Sequence, residues 1–124
     1  MDFRQTNIIE LARQIRGGDM SAVEVTSAAL ENIEKVDAQV NSFCAVNPER
    51  AMEEASAIDA ALGRGENLPL AGIPIGVKDL EDAAGYVTSF GSDLHTGDPE
   101  ALQDSELVRR LKAAGCVVVG KTNT

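Results

Sequence analysis

Asp104-Ser105-Glu106-Leu107-Val108-Arg109-Arg110-Leu111-Lys112-Ala113-Ala114-Gly115-Cys116-Val117-Val118-Val119 is the stretch on which the fold turns. Leu107, Val108, Leu111 and Ala114 recur at helical spacing behind a cap supplied by Asp104 or Ser105, and Gly115 stops the helix. Cys116 to Val119 is then fully apolar, the composition of a strand buried on both faces. Helix, glycine and buried strand make an α/β unit. The same residues carry a tempting match: Gly115 to Thr122 fits the phosphate-binding pattern G-x-x-x-x-G-K-[ST] letter for letter. That pattern needs its variable positions to form a loop whose N–H groups wrap phosphate, and Cys-Val-Val-Val is a strand instead. Nucleotide binding is rejected on that ground.

Upstream, the period changes to two from Leu70. Ile73, Ile75 and Val77 are expected to point one way, and Gly72, Pro74, Gly76 and Lys78 the other. One face is bulky enough to bury; the other has little side-chain volume until Lys78, so a ligand or another backbone can come close there. Pro74 cannot donate a ladder hydrogen bond, which predicts a sheet edge or a bulge. Between the two units, Asp79 to Pro99 reads as a long ordered loop able to carry short strands, anchored by Tyr86, Phe90 and Leu94.

The first half is helical. Ile8, Leu11, Ala12 and Ile15 predict a short helix ending at Gly17-Gly18. Ser21 to Glu24 is a capping box ahead of a long stripe of Val23, Thr26, Leu30, Ile33, Val36 and Val40. Ser42 to Val46 predicts a strand. Asn47-Pro48 opens an alanine-rich helix through Met52, Ala55, Ile58 and Leu62 to Gly63. Arg64 to Pro69 is a connector too short to separate two cores. The fold class is therefore α/β, helices packed on a mixed or parallel sheet, with a helical start over 1–64 and the strand, loop and α/β unit over 65–124.

A chain of 124 residues supports one core. The net charge of −9, with eleven scattered Lys and Arg, offers no basic stripe for nucleic acid. No segment approaches the roughly 20 apolar residues of a membrane helix, and no signal peptide opens the chain, so a cytoplasmic location is expected. Cys44 and Cys116, far apart in apolar runs, are expected to be buried free thiols. Asp79, Glu81, Asp82, Asp93, His95, Asp98 and Asp104 follow no metal-site spacing and read as solvated loop residues. No metal and no organic cofactor are expected.

Lys78, taken alone, is a candidate and no more. Taken in order, Gly72-Ile73-Pro74-Ile75-Gly76-Val77-Lys78-Asp79, Thr88-Ser89-Phe90-Gly91-Ser92, Asp104-Ser105 through Val108 and Leu111, Ala114-Gly115 and Gly120-Lys121-Thr122-Asn123 closely resemble the amidase signature family. The resemblance covers essentially the whole chain and implies an incomplete amidase signature fold, the N-terminal portion only. It implies Lys78 as the general base of a Ser-(cis-Ser)-Lys triad acting on a small-molecule amide, with acyl-enzyme formation and hydrolysis. A free lysine has a pKa near 10.4, so such a base must be desolvated. Asp79 is expected to orient the strand end beside it. The bridging and nucleophilic serines belong to a Gly/Ser-rich segment beyond the K-T-N stretch, so the chain alone is expected to be inactive, a fragment or truncated product lacking the remainder of its domain and prone to self-association. The same motifs are shared by the glutamine-hydrolysing subunit of a glutamyl-tRNA(Gln) amidotransferase, the rival expectation; an inactive interaction fragment is the second.

Overall fold

In the computed structural model, which describes residues 1–124, nine elements follow one another, the four α-helices and three strands in the order the periodicities predict. A short 3-10 turn at Phe3–Gln5 precedes α1 (Ile8–Arg16), α2 (Ala22–Val40), β1 (Phe43–Val46), α3 (Pro48–Gly63), β2 (Pro74–Lys78), a 3-10 turn at Asp93–His95, α4 (Glu106–Ala113) and β3 (Val117–Thr122). The helix starts are chemically explicit. Asn7, Ser21, Asn47 and Ser105 each accept a first-turn amide, and Ser21 and Glu24 complete the reciprocal capping box. Of the two candidates for the last cap, Ser105 is the one used; Asp104 instead accepts from the Ala84 amide at 2.8 Å and from the Lys112 ammonium at 3.1 Å.

β3 is the central strand of a three-stranded sheet, order β1-β3-β2, antiparallel to β1 and parallel to β2. Its valines alternate between two cores. Val117 and Val119 join Leu11, Ile15, Val25, Ala51 and Ala55 beneath the three opening helices. Val118 joins Val77, Ala83, Tyr86 and Val108 on the opposite face. Full burial of each such valine contributes about 1.5–3 kcal/mol relative to exposure. The alanine-rich α3 lies close to its neighbours, with Ala51 and Ala55 fully buried. Gly115 has φ of +110°, and a Cβ there would sit 2.8 Å from the Ala71 Cα; it is a turn with no room for a side chain. The strand at 117–122 confirms that the phosphate-loop match has no loop behind it.

Pro74 lies on an edge strand, the first of the two devices expected of it; the register shift next to it, between Ile75 and Gly76, puts the extra residue, Val119, in β3. The expected alternation needs one correction. Ile73 lies in the turn before β2, its amide bonded to the Leu70 carbonyl, and packs under the helices, whereas Val77 packs on the other face. The stripe on α2 needs another. Val36 and Val40 are exposed, lining an open groove with Met1, Phe3 and Phe43, and the buried positions are Ala22, Val25, Thr26 and Ala29. On α4, Val108 is buried and Leu107 exposed. The 79–99 segment is a loop with one 3-10 turn and no strand. No helix is long and apolar enough to cross a membrane.

Candidate active site

The two parallel strands end together, with Lys78 opposite Thr122 and Val77 opposite Lys121. The carboxyl ends of parallel strands are where α/β sheets ordinarily place their chemistry. Lys78 is exposed there, and its ammonium enters none of the chain's ion pairs. The desolvation expected of a lysine base is not supplied by residues 1–124, which leave the Lys78 side chain exposed. Its main chain, by contrast, is firmly held: the Lys78 carbonyl accepts from the Leu80 amide at 2.7 Å and the Glu81 amide at 3.0 Å. The small-residue face beside it is approached by side chains, since a Cβ on Gly76 would meet Thr122 Cγ2 at 2.6 Å and the Phe43 ring at 3.4 Å.

Successive strand residues face opposite ways, so Asp79 points inward where Lys78 points out. Asp79 is 2% exposed and does not face Lys78; its partner is Lys121, fully buried, with Nζ 3.1 Å from Asp79 Oδ1. The remaining donors of Lys121 reach Thr88 Oγ1 at 3.2 Å and the Val87 carbonyl at 3.3 Å. Asp79 in turn accepts from the Ser89 amide at 3.0 Å and from the Ser89 hydroxyl. Burial alone would push the Asp79 carboxyl up, but the Ser89 hydrogen bonds and the Lys121 ammonium outweigh it and hold it below its ordinary value. Thr88 continues the network by donating to Asp82 Oδ1 at 2.6 Å. The Asp79 carbonyl accepts from Phe90, which sits at φ of +54° as the loop folds back over the strand ends.

The structure thus brings Lys78, Asp79, Thr88, Ser89 and Lys121 to one end of the sheet and leaves His95 outside, paired with Asp98 at 2.9 Å. Asp79 and Asp104 are structural partners of lysines, not the solvated loop carboxylates expected of them. Sequence reasoning misses the role of Lys121, although a charge at the end of a buried apolar run needs a partner. The two thiols also divide. Cys116 is buried, with its pKa pushed up to about 11 by desolvation, whereas Cys44 is exposed because β1 is an edge strand that hides only alternate residues. Desolvation, and then the Asp79 carboxylate, raise the Cys44 thiol as well.

Residues 24–124 match the profile of the family described as Amidase. The chain belongs to the amidase family. It is 44% identical over 112 residues to the amidase-family protein AmiB2 of Mycobacterium tuberculosis, covering 90% of this chain and 24% of that protein. It is equally 44% identical over 123 residues to a glutamyl-tRNA(Gln) amidotransferase subunit from Salinispora arenicola, covering 98% of this chain and 25% of that one. Among solved structures, the native peptide amidase of Stenotrophomonas maltophilia superposes with a TM-score of 0.87 at 35% identity, over 98% of this chain and 25% of the other. The chain spans about a quarter of the length of the relatives it matches. Its mixed α/β fold matches the N-terminal portion of the amidase structures.

Proposed function

We propose that the protein to which these residues contribute hydrolyses a carboxylic acid amide to the acid plus ammonia or amine, with Lys78 as general base and no metal or organic cofactor. The carrying observation is Lys78 itself: the family's lysine motif stands at the carboxyl end of a parallel strand, main chain fixed and ammonium unpaired. Residues 1–124 are one portion of a single domain, and the serine that gives up the proton and the serine that relays it to Lys78 come from the remainder. That remainder covers Lys78 and the exposed Val36 and Val40 on α2. The enzyme acts in the cytoplasm on a small-molecule amide.

The test is ammonia release from a panel of carboxamides by the full reading frame, by Lys78→Ala and by the 124-residue chain alone. Loss of a general base lowers the rate by about 10²–10⁴-fold. Lys78→Ala retaining most of the activity would remove the base assignment, and turnover by the isolated chain would remove the reading of it as a portion. Ammonia release only from glutamine, and only with companion proteins and charged tRNA, would transfer the protein to the amidotransferase reading.

A further inference from the structure

A lysine that must lose its proton stands next in sequence to an aspartate, and a nearby carboxylate holds a proton on an amine. We propose that Lys121 resolves this conflict: by taking Asp79 into a buried ion pair it turns the carboxylate away from Lys78 and cancels its charge, making Lys121 a positioning residue for the base. This rests on the assignment of Lys78 as the base. Three observations carry it. The Asp79 side chain is fixed on the inner face by Lys121 and by both donors of Ser89, so it cannot swing to Lys78. The Asp79 backbone is held as well, its amide on the Thr122 carbonyl at 3.0 Å and its carbonyl on Phe90. Lys121 sits opposite Val77 in the parallel register, the one β3 position whose side chain shares the Asp79 face beside the strand end.

An ion pair is a poor choice for stability at this depth, since well-packed apolar residues of similar volume are often neutral or better there. Its distinctive contribution is directional and electrostatic. The other titratable groups around Asp79 are Cys44 from β1 and Glu81 and Asp82 from the loop, and Asp82 is engaged by Thr88. None of them supplies a positive charge, so Lys121 is the only counter-charge packed against Asp79.

The experiment measures kcat/KM against pH for the full-length enzyme and for Asp79→Asn, Lys121→Met and the double variant, each checked for a cooperative thermal transition. Removing Lys121 alone leaves the Asp79 charge beside the base, and the acid limb of the profile moves up by about one pH unit. Asp79→Asn leaves an ammonium there, and the limb moves down by a similar amount. The double variant returns it to the wild-type position. Should Lys121→Met fail to fold, Asp79→Asn and the double variant carry the test. Folded variants whose limbs stay in place, whatever their loss of kcat, overturn the inference and leave Lys121 purely structural. An active Lys78→Ala enzyme would instead remove the base reading on which it rests.

Discussion

Gly120 sits where the sheet is tightest, and replacing it by alanine sets two effects of known sign against each other. Its backbone lies outside the left-handed region, so alanine is conformationally acceptable and would restrict the unfolded chain, a gain of about 0.5–1 kcal/mol. Space opposes this. A Cβ at Gly120 would press directly on the Ala45 carbonyl oxygen and lie 2.9 and 3.2 Å from the Phe43 ring. The nearest obstacle is backbone, so relief requires moving β1 off β3, at the upper end of the roughly 1–3 kcal/mol that overpacking costs. The net expectation is destabilisation by about 1–2 kcal/mol, which lowers Tm by several degrees in a domain of this size. Gly63 is the control. It ends α3 with nothing within 4 Å of a built Cβ, so Gly63→Ala should stabilise by about 0.5–1 kcal/mol. Thermal unfolding followed by circular dichroism reads both. Were Gly120→Ala to melt at or above wild type while Gly63→Ala rose, the close approach of β1 and β3 would be refuted.

Two further outcomes follow from titratable groups. Because the folded Asp79 carboxyl is held below its unfolded value near 3.9, its contribution is complete above that pH and lost as pH falls through the lower folded value. Tm should therefore fall on acidification below about pH 4, less steeply in Asp79→Asn; parallel declines would contradict the ion pair. Glu54 acts oppositely, since burial, only partly offset by Lys112, raises it and its protonation favours the folded state as pH falls through that higher value. For the thiols, a maleimide should label Cys44 in the native protein and reach Cys116 only on unfolding. Equal native labelling by mass spectrometry would mean that the Cys116 core is open.

Local signals carry the reading wherever the relevant partners are local. The Ser21 capping box, the Asn47-Pro48 start of α3 and the Gly115 stop are decided within one turn of chain, and all are found as expected. The errors lie where a partner far along the chain decides. Asp104 is a sound candidate for a helix cap, yet it is claimed by Ala84, twenty residues away. Cys44 lies in an apolar run that reads as buried, and only the position of β1 at the sheet edge exposes it. Val36 and Val40 continue a regular apolar stripe, but a stripe does not say which of its turns a neighbouring element covers.

The two lysines at the strand ends show how fine that dependence is. Lys78 and Lys121 lie on adjacent parallel strands, each following a hydrophobic run, and composition alone distinguishes neither. Register does. Lys121 is level with Val77 and so shares its face, where side chains pack into the smaller core; Lys78 is level with Thr122 and takes the opposite face. Because the side-chain period of a strand is two, a slip of β2 by one residue against β3 would turn Lys78 onto the buried face that Lys121 occupies. The register is set at a distance, by the Leu70–Ala114 and Gly72–Gly115 main-chain bonds that fix where β2 enters against β3. Gly115, the residue that made the chain resemble a phosphate loop, therefore contributes to choosing which lysine faces outward.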